Sequence, residues 1–261
     1  MSLKGKAAAI GIAELKPWKE APPDVTPLKL MGQLTAEALA DAGLEKKDLD
    51  GFLVGMPFAD PGMIYPASAA EVLGINARML NVVDIGGASP AGMIWRAAAA
   101  IDAGICSAVL CIVADLNRLG DQKVPVVSVQ REFEAPYGNI GANCGYAMIA
   151  HRHMYEYGTT SEQMAKIAVD QRTNALKNPL ATFNDKPLTI RDVLNSRMIV
   201  DPLHIFEIVS PCSGGSAVIV ASPEIASQML PASDYARTKA VDYLKMQQAQ
   251  KAFTDRWQAI Q

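Results

Sequence analysis

The sequence has 261 residues, half of them apolar, 20% charged and 6% aromatic, with 24 Lys and Arg against 27 Asp and Glu for a formal net charge of −3. Such a chain is too apolar to be disordered and long enough for one large domain or two small ones with a buried core. Its slight acidity would repel a phosphate backbone, which argues against a nucleic-acid partner, and no uninterrupted apolar run reaches the length of a membrane span.

The N-terminal stretch MSLKGKAAAIGIAEL places lysines before apolar residues as a signal peptide does, but the run stops at Glu14 and Lys16. Lys6 to Ala13 therefore reads as a first strand. A Pro-rich connection from Pro17 to Pro27 leads to a helix with Leu28, Met31, Leu34, Thr35, Ala38 and Leu39 at three- and four-residue spacings, ending at Gly43. Gly51 to Met56 is a second strand and Leu80 to Ile85 a third. The third runs into GGASPAG and a helix of Met93, Ile94, Ala97, Ala98 and Ile101 that stops at Gly104. Ala108 to Ala114 is a fourth strand, apolar throughout, as expected of one covered on both faces. This alternation is the signature of a βαβ architecture with a mostly parallel sheet.

Beyond Asp115 charge rises and most of the tyrosines and histidines appear. Helices are expected at Gly141 to Tyr157, Ser161 to Leu176 with Ser161 as N-cap, and Thr189 to Asn195, forming a helical insertion. A strand returns at Ser216 to Ala221 and rejoins the parent sheet. The last residues are rich in Gln, Lys and Ala, with a loose helical stripe of Val241, Leu244, Phe253, Trp257 and Ile260.

Cys106, Cys111, Cys144 and Cys212 show no CxxC spacing and sit in apolar or glycine-rich surroundings, which suits reduced thiols in a cytoplasmic protein. His151 and His153 share a helical stretch, where two residues of separation turn the rings about 200° apart, so no metal site is expected. The most informative stretch is NVVDIGGASPAG, Asn81 to Gly92. Gly86 and Gly87 permit a tight turn, Ser89 suits an N-cap and Pro90 the first helical position. A helix start aimed out of a parallel sheet favours an anion or a low-pKa nucleophile, although an ordinary strand-to-helix turn would look the same. A serine-hydrolase elbow centred on Ser89 is disfavoured, because the next residue must supply an N–H to the oxyanion hole and Pro90 has none.

Residues His153 to Ser222 carry HM-x-x-YGTT, then NALKNPLATF, DPL and a GG-SA-V-I-V strand. In that order they resemble thiolases of the sterol-carrier-protein, or non-specific lipid-transfer-protein, type. Asn81 to Asp115 resembles the same family's nucleophile loop with its following helix and strand. The resemblance covers residues 6 to 228. It fits better than one to the β-ketoacyl synthases, which share the fold.

The resemblance implies an α/β thiolase-like fold: a mostly parallel mixed sheet covered by helices, one βαβαβ half, with a helical loop-domain insertion. Residues 1–116 with 206–228 would form the core, 117–205 the insertion, and 229–261 a divergent helical tail where the C-terminal thiolase half would stand. It also implies acyl-CoA as substrate, no further cofactor, a homodimer, and a catalytic cysteine where this chain carries Gly87. The family's histidine and second cysteine belong to C-terminal motifs absent from these residues, so the chain is expected to be truncated, or completed by a second polypeptide, and inactive alone. Candidate substrate contacts are Gly86, Ala88, Ser89, Tyr137, Cys144 and Ser213. Two functions follow: aldolase-type carbon–carbon chemistry on acyl-CoA, with the Gly86–Ala88 turn as an oxyanion site, or a non-catalytic acyl-CoA-binding or partner-binding module.

Overall fold

The computed structural model describes residues 3–117, 130–139 and 141–229. The expected Gln-rich helical tail lies outside the described residues. The chain divides into two compact units: among described residues, one comprises 3–117, 171–187 and 209–229, the other 130–139, 141–170 and 188–208.

The first unit is built on strands β1 (Ala8–Glu14), β2 (Gly51–Val54), β3 (Met79–Val82) and β4 (Ala108–Asp115) and, after the second unit's segments, on a further strand of residues Gly214–Ala221. Because a short hairpin intervenes, that further strand is β7. The sheet order is β1-β7-β4-β2-β3. β2 pairs in parallel with β3 and β4, whereas β7 lies antiparallel to both β1 and β4. Four strands therefore run one way, and the returning strand enters the sheet between two of them.

Side-chain alternation sets the two faces of the sheet. Phe52, Val54, Leu110, Ile112 and Ile219 meet helices α1 (Pro27–Ala42) and α2 (Tyr65–Leu73) on one side. Leu53, Val109, Cys111 and Val220 meet Met93, Ala97 and Ile101 of α3 (Ser89–Asp102) on the other. An apolar β4 is thus explained by burial on both faces.

Helix α1 ends at Gly43 as its sequence predicts and begins at Pro27, the last residue of the expected connection. The Thr26 hydroxyl accepts from Lys29 N–H at 3.2 Å, Pro27 occupies the first turn, and Gly43 closes the helix in the left-handed region. It buries Leu30, Met31, Leu34 and Ala38. α1 lies so close to β1 that a Cβ at Gly11 would stand 2.5 Å from the carbonyl oxygen of Ala38. Helix α2 is not expected from the sequence; its first turn carries Pro66, and only Tyr65, Leu73 and two alanines form its buried side, a weak periodic signal over nine residues. β3 stops at Val82 rather than Ile85, because Asp84 turns back to accept the N–H of Gly86 at 3.2 Å.

In the second unit, α4 (Ala142–Tyr157) ends at Gly158, which is left-handed at φ 65. α5 (Ser161–Ala175), whose residues up to 170 belong to this unit, is capped by Thr160 rather than Ser161: Thr160 N–H donates to Gln163 Oε1 at 2.9 Å and Gln163 N–H to Thr160 Oγ1 at 3.3 Å, a reciprocal capping box. α6 (Ile190–Leu194) has the same device in Thr189 and Asp192. β5 (Met198–Val200) and β6 (Leu203–His204) form a small antiparallel hairpin. α7 (Pro223–Met229) follows β7 in the first unit. His151 bonds Asp201 at 2.9 Å and His153 bonds Thr159 at 2.7 Å, so the two rings serve different partners.

Candidate active site

A cleft of about 550 Å³ opens in the first unit where the four parallel strands end. Ligands bind at this end of α/β sheets because the loops following the strands converge there. Its walls come from Glu14 at the end of β1, Met56 and Phe58 after β2, Asp84 after β3, Asp115 at the end of β4 and Cys212 before β7. Gly86, Gly87, Ser89 and Pro90, at the start of α3, close it from below.

That start is held from within. The Ser89 hydroxyl donates to the carbonyl of Gly86 at 2.6 Å and accepts the N–H of Ile85 at 3.0 Å, and the residue is buried. Ser89 thus ties the loop as a strut rather than acting as the N-cap, which is Ala88. Gly86 is left-handed at φ 58, a conformation glycine adopts without steric cost. The N–H groups of Ala88 and Ser89 donate back to Ile85 at 3.3 Å and Gly86 at 3.0 Å. Among the described residues no acceptor takes the N–H of Gly87. A Cβ on Gly87 would meet nothing within 4 Å, and its φ is not left-handed, so the position faces open space and admits a side chain.

Ser213 is wholly buried: its hydroxyl accepts the N–H of Asn117 at 2.8 Å, and its backbone exchanges two hydrogen bonds with Trp18, at 2.9 and 2.7 Å. Its neighbours Cys212 and Gly214 line the cleft instead. Tyr137 and Cys144 belong to the second unit, the first 89% exposed, the second in the first turn of α4. Cys106 and Cys111 are buried in the sheet, and burial pushes the Cys111 thiol up to about 12 and raises that of Cys106. Neither supplies a thiolate at neutral pH.

Sequence reading alone missed Glu14, Phe58, Asp84, Asp115 and Cys212. The available signal was position, since three of the four charges or thiols at strand ends interrupt otherwise apolar runs. Asp115 is anchored, its carboxylate accepting N–H groups from Phe58 at 2.8 Å, Ala59 at 3.0 Å and Leu116 at 2.8 Å. Beside it, burial first, then the Asp60 and Asp115 carboxylates, push the Tyr65 hydroxyl up to about 12.

The sheet order, the antiparallel return of β7 and the glycine turn under α3 define a thiolase-like α/β fold. No protein-family profile matches the chain. It is 33% identical over 239 residues to a steroid side-chain-cleaving aldolase of Thermomonospora curvata, covering 87% of this chain and 59% of that one. It is 30% identical over 230 residues to the 17-hydroxy-3-oxo-4-pregnene-20-carboxyl-CoA lyase of Mycobacterium tuberculosis, with 84% and 58% covered. Among solved structures it is similar to the Ltp2-ChsH2(DUF35) aldolase, with a TM-score of 0.77, 34% identity and 88% and 59% covered. A monomeric SCP2-thiolase like protein from Mycobacterium smegmatis shares the fold, with a TM-score of 0.68 at 20% identity, over 88% of this chain and 48% of that one. Its homologues are SCP2-thiolase-like proteins, and the solved structures it matches share the thiolase-like fold. It spans less than two thirds of the length of these relatives.

Proposed function

We propose that this chain binds acyl-CoA thioesters at the cleft and takes part in aldolase-type carbon–carbon cleavage of lipid or steroid side chains. One observation carries the reading: Gly87 stands at the mouth of α3, facing open space, where a thiolase-type mechanism needs a thiol. Acyl transfer to the protein has no acceptor there. Retro-aldol cleavage of a β-hydroxyacyl-CoA needs none. A base removes the β-hydroxyl proton, the C–O bond becomes a carbonyl, and the Cα–Cβ bond breaks with its electron pair passing to the thioester oxygen as an enolate. That oxygen is held by the N–H of Gly87 and the positive end of α3, and a proton then returns to Cα. The products are a ketone or aldehyde and a shortened acyl-CoA, with no change in oxidation state overall.

Glu14, Asp84 and Asp115 are the carboxylates that line the cleft among the described residues, and a partner polypeptide is one source of further acid and base groups. Two relatives carry names that fit such an assembly: the Ltp2-ChsH2(DUF35) aldolase and the benzoylsuccinyl-CoA thiolase subunit BbsB of Thauera aromatica. The test is to incubate the chain, alone and with co-purifying partners, with β-hydroxyacyl-CoA and with β-ketoacyl-CoA plus CoA, following products by mass spectrometry. Carbonyl product from the first substrate supports the reading. Thiolysis of the second without any retro-aldol product refutes it.

A second reading, a partner-binding module without turnover, is favoured by the outer side of α3. Ile85, Ile94 and Trp95 are 53%, 40% and 63% exposed, a cluster expected where another protein surface docks. Thioester binding with no turnover under any partner condition selects it.

A further inference from the structure

The connection from β2 to α2, residues 55–64, is an exposed apolar loop fixed at both ends. At its start, Asp115 holds the N–H groups of Phe58 and Ala59. At its finish, Tyr65 is 5% exposed within the core, its hydroxyl 3.8 Å from Met31 Sδ. Ile64 is left-handed at φ 49, a conformation costly for a β-branched side chain and sustained only where the surroundings over-determine it. Between these anchors Phe58, Met63 and Ile64 stand 68%, 91% and 76% exposed. Holding the backbone that carries these apolar side chains in water gains the isolated unit nothing, but it pre-organises a contact surface and lowers the backbone entropy lost on binding. Of the three, Phe58 lines the cleft, alongside Met56.

We propose that Phe58 is the specificity-determining residue of the cleft: its ring is the wall on which the apolar acyl portion of a CoA thioester packs, so that the site prefers long or bulky acyl groups over short ones. This rests on the reading of the cleft as a thioester site. The occupant follows from the lining, since a carboxylate-edged cleft whose rim carries an exposed aromatic ring on an anchored backbone suits a ligand with a polar reacting end and an apolar tail. An exposed ring that becomes covered on binding contributes affinity only for ligands long enough to reach it.

The experiment is calorimetric titration of the purified 261-residue chain with acetyl-CoA and lauroyl-CoA, for wild type, Phe58→Ala and Phe58→Leu. Phe58→Ala is expected to weaken lauroyl-CoA by about tenfold or more and to leave acetyl-CoA unchanged, with Phe58→Leu restoring most of the loss. Equal weakening of both esters, or of neither, while wild type binds them overturns the inference alone. Wild type that takes up neither ester overturns the thioester reading and this inference with it.

Discussion

Replacing Gly87 by cysteine tests how the start of α3 is built. A Cβ there meets nothing within 4 Å and the backbone is not left-handed, so the variant avoids both steric and conformational cost. Losing a glycine from the unfolded chain then stabilises the fold by about 0.4–1 kcal/mol. The new thiol lies at a helix N-terminus, whose partial positive charge favours a thiolate by about 0.3–1 kcal/mol, so its pKa falls roughly 0.2–0.7 below the ordinary 8.5. At pH 8 its thiolate fraction exceeds that of Cys111, pushed up to about 12, by more than about a thousandfold. Iodoacetamide labelling from pH 6 to 10, read by peptide mass mapping in a Cys212→Ser background, measures this directly. Labelling that requires denaturation, or a thiol pKa above 8.5, would refute the argument that Gly87 faces an open cleft from the positive end of α3.

Gly215→Ala places a Cβ 2.5 Å from the Val113 carbonyl and 2.8 Å from Ala114 Cβ, backbone and side chain of the neighbouring strand; a loss of about 1–3 kcal/mol in chemical unfolding is expected. Thr189→Ala removes the side-chain half of the α6 capping box, the hydroxyl that accepts Asp192 N–H, while the backbone N–H at 189 still donates to Asp192; it should cost about 1 kcal/mol locally, seen as faster amide exchange over residues 190–194. The hydrogen bonds to Thr189 hold the Asp192 carboxyl below its usual range, so their contribution is present above the ordinary carboxylate pKa and disappears as pH falls through the lowered one. The sign reverses for Tyr65, which burial holds protonated up to about pH 12 when the unfolded phenol titrates near 10. Its contribution is complete below pH 10 and lost as pH rises toward 12, and Tyr65→Phe should flatten that part of a pH–stability curve.

Local pattern carried much of this fold. Gly43 ends α1 in the sequence as it does in the structure, because a cap acts within one turn, whereas the Thr26 cap and the place of Pro27 inside the first turn came only from the structure. The second strand and the doubly buried β4 were equally legible, since continuous apolar runs mark strands covered on both faces. The glycine turn under α3 could be read as a site from its residue types, and Gly87 as its departure from the family pattern. Hydrogen-bond allegiance could not be read. Ser89 and Ser213, both polar beside a proposed site, turn their hydroxyls to Gly86 and Asn117.

What only the tertiary structure decided is which distant segments meet. β7 follows β4 by about a hundred residues of chain, yet it pairs antiparallel with both β4 and β1, and no local propensity encodes that order. That insertion brings Cys212 to the ends of the parallel strands, beside Glu14, Phe58 and Asp115 from three other stretches. The sequence by itself determined the main strands, α1 and α3, because those depend on near neighbours, and its resemblance to a family marked the missing thiol at Gly87; α2 and the β5–β6 hairpin escaped it. The cleft, its carboxylates and its aromatic rim exist only once non-local strand pairing has set the sheet order.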